Sequence, residues 1–390
     1  MKITHVSAIP IRIPLPTAPY ATENAGTRID WHGRRSRTSS VRPDPALDYA
    51  LVRIETDEGV TGIGEAQADI GFFGNSLEEL CAAIDLYLGP QLLGRDPFDR
   101  EHLLDLLDYR ENSCARSGID LALHDLMGRA LGVPVSTLLG GAHRRRIQVA
   151  IEVAGGAPQD MAARCTSLVA RGVRVFKPKI GGHVEADVER LSAIREAVGP
   201  EVILRADANQ GYNAKDAIRL CRLAEQAGVG LDLLEQPVAA WDLAGMALVR
   251  ASVDTPIEAD ESCYTVHDAI QIVRHGAADV LNVKLAKAGG LYTAKKIAAI
   301  AEAAGLRCVI GTSFGLGVEV AAKLHLAAST MHIVDAVEFT ELVVHEPLIE
   351  QPASGPLALP LRDGCLDVPT GPGLGVELAA EDVDRLRAWS

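Results

Sequence analysis

The stretch Val173-Arg174-Val175-Phe176-Lys177-Pro178-Lys179 decides the fold. It is short, rich in β-branched and aromatic residues, and it ends in charge, so it reads as a buried strand with a polar mouth. Strand-like segments recur along the chain and end at Asp207, Glu235, Asp260 and Lys284, each 24 to 28 residues after the last, counting from Lys179. That interval accommodates one strand and one helix. Candidates at 146–153, 307–311 and 335–341 bring the strands to eight. The segments between them, such as Val188 to Val198, Ala214 to Ala227 and Ala294 to Ala304, are rich in Ala, Leu, Arg and Glu. Parallel strands need crossovers of this kind, so the repeat predicts an α/β fold, a TIM-like (β/α) barrel. The charged residues then stand at the C-terminal strand ends, where barrels carry their chemistry.

Outward from the repeat the pattern changes. Ile9, Ile11 and Ile13 alternate, Tyr49 to Thr56 and Val60 to Glu65 read as strands, and Asp57-Glu58-Gly59 turns between them. Helical periodicity follows at Leu77 to Leu88 and Phe98 to Leu107. An α+β domain over residues 1–125, a barrel over 126–346 and a C-terminal segment over 347–390 are expected. The tail, with strand-like Leu357-Ala358-Leu359, is expected to leave the barrel and pack on the first domain.

Composition narrows the partners. The 390 residues are 48% hydrophobic and 23% charged, with mean hydropathy +0.11, which suits a globular protein with a large core. A net charge of −14 and a pI of about 5.3 oppose nucleic acid and anionic membranes as partners. Seven scattered cysteines, never spaced C-x-x-C, argue against a disulfide framework or a thiolate zinc site. The N-terminus has no basic region followed by an apolar run, so a cytoplasmic location is expected.

Asp207, Glu235 and Asp260 offer hard oxygen ligands at three consecutive strand ends, without histidine or cysteine. Such a trio suits Mg²⁺, with Mn²⁺ as a second choice, and Asn209 and Glu261 flank it as supporting partners. Lys179 and Lys284 fall on strands two and six, on either side of strands three, four and five, and would approach a bound substrate from opposite faces. Lysine becomes a base only when its pKa falls, and Lys177, on the same face as Lys179, supplies a like charge that lowers it. His325 and His332 have no nucleophile paired with them in a hydrolase motif, and Gly289-Gly290 reads as a turn before a helix.

The stretches Phe176-Lys177-Pro178-Lys179-Ile180-Gly181, Arg205-Ala206-Asp207-Ala208-Asn209-Gln210, Leu234-Glu235-Gln236-Pro237, Ala259-Asp260-Glu261-Ser262 and Asn282-Val283-Lys284-Leu285-Ala286-Lys287 resemble the muconate lactonizing enzyme subgroup of the enolase superfamily. The resemblance covers nearly the whole chain. It implies an N-terminal capping domain, completed by the C-terminal tail, on a (β/α)₇β barrel, and a dimeric or octameric homo-oligomer. It further implies Mg²⁺ on Asp207, Glu235 and Asp260, an acid/base pair in Lys179 and Lys284, and Lys177 as tuner. The expected reaction is removal of the α-proton of a small carboxylate substrate through an enediolate, giving racemisation, epimerisation or cycloisomerisation. A hydroxy-acid or acid-sugar dehydratase is the alternative, and a non-catalytic metal-binding protein carries little weight.

Departures from the family concern specificity. The mandelate racemase subgroup would place a histidine after the seventh strand, where this chain reads Cys308 to Gly317 without one. Gly315 stands where many lactonizing-type relatives carry a glutamate, and Phe314 before it offers either a cation–π face or ordinary packing. Glu338, Thr340 and Glu341 on the eighth strand are further candidates, with alternation placing Glu341 on the opposite face from the other two. The Arg-rich segment 28–37, with Trp31 and Arg34, corresponds to a closing loop that could grip an anionic or aromatic group, or simply be solvated. The loop Ala66 to Ser76, with Phe72 and Phe73, is expected to supply apolar walls.

Overall fold

The structure, a computed structural model, describes residues 1–14, 46–108, 112–333, 336–343 and 359–389, together with the backbone of the paired two-residue strands Arg28–Ile29 and Arg35–Ser36. Trp31 and Arg34 lie outside the described residues.

Three antiparallel strands open the chain, β1 (Ile3–Pro14), β2 (Ala46–Thr56) and β3 (Thr61–Ala68), in the order β1-β2-β3. The long helix α1 (Ser113–Leu131) packs directly on β3. The glycines of β3 allow that closeness: a Cβ on Gly64 would stand 1.9 Å from the Gly118 carbonyl oxygen, and one on Gly62 2.2 Å from that of Ala122. Because side chains alternate along a strand, Glu65 and Gln67 are turned to the face away from α1.

The barrel follows as β4 (Arg146–Val153), β5 (Val175–Pro178), β6 (Ile203–Asp207), β7 (Leu231–Glu235), β8 (Ile257–Ala259), β9 (Val280–Val283), β10 (Arg307–Ile310) and β11 (Ala336–Glu338). All eight run parallel in the order β10-β9-β8-β7-β6-β5-β4-β11, and a bridge between Cys308 and Ile333 joins the remaining seam. Each connection is helical: α2 (Pro158–Val169), α3 (Val184–Val198), α4 (Ala214–Gln226), α5 (Leu243–Ser252), α6 (Val266–His275), α7 (Leu291–Ala303) and α8 (Val318–Ser329). Local signals start and stop these helices. Asn213 accepts from the N–H groups of Lys215 and Asp216 at the head of α4, and Thr265 with Asp268 forms a capping box on α6. One apolar core lies between the strands and the helix ring. No helix among the described residues is long and apolar enough to cross a membrane.

The tail touches both parts. Residues 357 and 358 of the expected strand lie outside the described residues, whereas β12 (Cys365–Asp367) pairs antiparallel with β4 of the barrel. Further on, α9 (Ala380–Leu386) lies against β1, and the Ala388 N–H donates to the Pro10 carbonyl. The eighth barrel strand also ends sooner than expected. After Glu338 the chain turns into a 3₁₀ segment, Thr340–Val343, so strand alternation does not govern Glu341.

Candidate active site

Neighbouring strand ends bring the charged residues together. Asp207 lies in register with Glu235, and Glu235 with Glu258. Lys177 from β5 is completely buried, and its Nζ donates to Glu235 and to Glu338, each at 2.6 Å. Burial pulls its pKa down, but Glu235, Glu338 and Glu152 outweigh burial and hold it well above the usual lysine value.

Lys179 Nζ lies 2.6 Å from Asp207 and 2.9 Å from Glu152. Across the mouth, Lys284 Nζ lies 2.7 Å from Asp260. The two ammonium groups therefore reach the acid cluster from its two sides. Burial lowers the Lys179 pKa and Lys177 adds to that, as a like charge should, yet Asp207 and Glu152 leave it raised. For Lys284, burial is likewise outweighed, by Asp260 and Glu235. The lowering expected for these lysines is thus reversed here, because each ammonium is in contact with a carboxylate.

The acids feel the same balance. Burial pushes Asp260 up, but Lys284 and Lys287 hold it well below the carboxylate range, while Lys179, Lys177 and Lys284 hold Glu152 at about 2 against its burial. Glu235 goes the other way, raised by burial and then by Asp207 and Glu258. A cluster with so much acid charge out of water could hold a metal ion. Among the described residues, the acidic trio with ligand oxygens within 4.8 Å of one another is Glu235, Glu258 and Glu338, all buried. Asp207 and Asp260 adjoin it through Lys177, 3.9 Å from Asp207, and through Lys284.

Supporting contacts surround the cluster. The Asn209 N–H donates to Asp207 at 2.8 Å and its side-chain amide to Glu261 at 3.2 Å, so both flanking residues reach the site. Asn209 does so in the left-handed region, at φ 39°. Glu338 is engaged twice, by Lys177 and by the Thr312 N–H, and the Thr340 hydroxyl accepts from the Glu152 N–H. Glu341 receives the Thr312 hydroxyl and Lys323, each at 2.5 Å. It thus turns to the same seventh-strand loop as Glu338, against the alternation expectation, because the 3₁₀ turn rotates it. Phe314 takes φ 59°, and its carbonyl accepts from the Tyr49 hydroxyl at 2.5 Å. Phe72 packs edge-to-face on Phe73, and its ring lies 4.5 Å from Lys284 Nζ.

Glu152, Glu258 and Lys287 are site residues that the strand-end reading missed. Glu258 lies two positions before Asp260, and Glu152 sits in register with Lys177, so a search for same-face neighbours of the charged ends would have found both. Lys287, buried, donates to the Asp260 carboxylate and, at 2.6 Å, to its carbonyl. His325 is structural: its Nδ1 accepts from the Ser136 N–H, its Nε2 meets the Leu374 carbonyl, and burial lowers its pKa to about 4.

Residues 160–383 match the family description "Enolase C-terminal domain-like", and residues 37–140 match "Mandelate racemase / muconate lactonizing enzyme, N-terminal domain". The L-Ala-D/L-Glu epimerase of Bacillus subtilis is 33% identical over 383 residues, covering 97% of this chain and 98% of that protein. Muconate cycloisomerase 1 of Rhodococcus opacus is 35% identical over 361 residues, covering 90% and 93%. The dipeptide epimerase of Enterococcus faecalis V583, solved with Mg and the dipeptide L-Leu-L-Tyr, superposes with a TM-score of 0.84 at 32% identity, over 97% of this chain and 100% of that one.

Proposed function

The chain belongs to the muconate lactonizing enzyme-like subgroup of the mandelate racemase/muconate lactonizing enzyme family, as an isomerase of the enolase superfamily, and from that premise we propose Mg²⁺-dependent racemisation or epimerisation at the α-carbon of a small carboxylate. Cycloisomerisation would pass through the same enediolate, formed there by intramolecular addition of a carboxylate and then protonated at the α-carbon. The observation that carries the reading is the pair of lysines: Lys179 and Lys284, on β5 and just after β9, each reach an acid of the intervening strand ends at 2.6 and 2.7 Å.

In this reading one lysine removes the α-proton to its Nζ and the other returns a proton to the opposite face, which inverts the centre. Lys177, locked between Glu235 and Glu338, fixes the position of both acids and lends Lys179 a neighbouring positive charge. Phe72 walls the Lys284 side and excludes water.

The donor set fits a hard divalent cation: every candidate ligand is a carboxylate, and the burial and acid neighbours that raise the Glu235 pKa would be relieved by positive charge. Asp207, Glu235 and Asp260 would hold Mg²⁺, with Mn²⁺ as substitute, and the ion would stabilise charge on the substrate carboxylate and take up acid charge that now keeps the lysines protonated. Asn209 and Glu261 orient Asp207. The cytoplasm suits the chain, whose seven cysteines are all free thiols.

Proton NMR in D₂O, with Mg²⁺ and an EDTA control, tests the reading on dipeptides, N-acyl amino acids, muconates and betaines. Metal-dependent loss of the α-proton signal with unchanged composition is expected. A keto-acid product would replace racemisation with dehydration.

A further inference from the structure

We propose that Glu319 and Gln67 form an acceptor subsite for a cationic nitrogen group of the substrate, at the seam between cap strand β3 and the loop after β10. The inference rests on the carboxylate-substrate reading above and narrows the substrate class within it.

The seam is built from both parts of the chain. On β3, Glu65 accepts from the backbone N–H groups of Leu316 at 2.7 Å and Glu319 at 3.0 Å. Opposite Gln67 in the cap sheet stands Tyr49, whose hydroxyl holds the Phe314 carbonyl. One face of the β2–β3 pair is thereby docked along residues 314–319. Past Gln67 the chain runs into the loop that sets Phe72 against Lys284. In the chain, Gln67 thus stands between the docked Glu65 and the loop that carries Phe72.

Glu319, in the first turn of α8, turns back over Gly315. A Cβ at position 315 would stand 2.8 Å from Glu319 Cβ and Oε2 and 3.3 Å from Glu65 Oε1. The missing side chain is what admits the carboxyl. The Ser313 hydroxyl lies beside it. Glu319 Oε1 and Gln67 Oε1 are both buried and have no hydrogen-bond partner among the described residues, and the two residues are only 4% and 5% exposed. The Ser313 hydroxyl can give Glu319 one neutral hydrogen bond but no charge, and the Gln67 oxygen has no donor among the described residues, so the pair calls for a donor-bearing ligand.

Charge selects among donors. Lys323 is committed to Glu341 and the Glu338 carbonyl, and Lys284 to Asp260. Glu65 has its two backbone N–H groups. Among the described residues Glu319 is left as an acid with no direct cation contact, and burial lifts its pKa to about 7 against the more distant pull of Lys323. An ammonium or guanidinium supplies both the N–H groups and the charge, whereas an acylated nitrogen supplies no charge.

Calorimetric titration of the Mg²⁺-supplemented protein tests this with two matched pairs: L-Leu-L-Tyr against N-acetyl-L-Leu-L-Tyr, and N-acetyl-L-lysine against N-acetyl-L-norleucine. The cationic member of at least one pair is expected to bind about tenfold tighter, on the scale of one charge-assisted hydrogen bond. Glu319→Gln should bring that pair to parity, and Gly315→Ala, which displaces the carboxyl without removing it, should weaken the cationic member selectively. Absence of a cation preference, including no binding of any of the four, overturns the subsite, as does a preference that survives Glu319→Gln. Deuterium exchange of the same compounds reports separately on the reaction: exchange without cation preference removes the subsite alone, and preference without exchange removes the reaction alone.

Discussion

Lys177 Nζ and the Glu235 carboxylate meet at 2.6 Å with both side chains completely out of solvent. Glu338 lies equally close on the other side, so a single ammonium neutralises acids from β7 and β11 across the barrel. Removing one partner of such a buried pair costs about 3–5 kcal/mol, because the remaining charge stays unpaired. Lys177→Met is therefore expected to lower the unfolding free energy obtained from urea denaturation by that amount, and the double variant Lys177→Met/Glu338→Gln to recover part of it. An unchanged midpoint in the single variant would mean that Lys177 does not hold the acids together.

Among the described residues the proposed bases share no acid in direct contact, although Glu152 and Glu235 feel the charge of both. Lys179→Ala and Lys284→Ala should each still fold, with some loss of stability from the acid left unpaired, and lose at least about 100-fold in α-proton exchange, the range general acid–base groups contribute. Single-direction substrates would separate them, since each lysine serves one face. Wild-type rates in either variant would end the two-base assignment.

Metal dependence has a stability readout as well as a kinetic one. At about one hundred times its Kd, a ligand that binds only the folded state adds roughly 2.7 kcal/mol. Mg²⁺ is expected to raise Tm in the wild-type protein and to lose that effect in Asp207→Asn, Glu235→Gln and Asp260→Asn. A shift lost in Glu258→Gln but kept in Asp260→Asn would move the ion to the Glu235–Glu258–Glu338 trio.

Glu65 and Glu319 give a pH prediction. Burial, then the charge of Glu319, lifts the Glu65 pKa from 4.5 to about 8. The folded state then holds more protons than the unfolded one between those values, so this group's contribution falls as pH rises through that window. Relative to wild type, Glu65→Gln should gain Tm steadily from pH 5 to pH 8. A constant difference across that range would show that Glu65 titrates normally.

Tyr49 ties the cap to the seventh-strand loop through one hydroxyl. Tyr49→Phe should cost about 1 kcal/mol of stability, a typical single hydrogen bond, and raise KM more than it lowers kcat. Equal stability and unchanged KM would mean that the loop is held by Glu65 alone.

Much of this architecture could be read from spacing. Residues 173–179, 201–207 and 231–235 repeat at the length of a strand and a helix, and β5, β6 and β7 formed within them because apolar runs with flanking turns permit little else. The charged strand ends were legible for the same reason. Glu341 was not, because alternation presumes a strand and Thr340–Val343 is a 3₁₀ turn. Glu152 and Glu258 were missed because one looks like any acid of its strand until register with Lys177 or Glu235 is known.

The sequence by itself determined the barrel, its cap and the positions of Lys177, Lys179, Asp207, Glu235, Asp260 and Lys284, since hydrophobic periodicity and chain connectivity are local properties. Only the tertiary structure decided which acid each lysine engages, that Glu319 fills the space left by Gly315, and that Glu65 from the cap holds the seventh-strand loop. Those relations depend on strand register and on packing between segments as much as 254 residues apart, and charge balance in a buried cluster is fixed by distances that no linear pattern encodes.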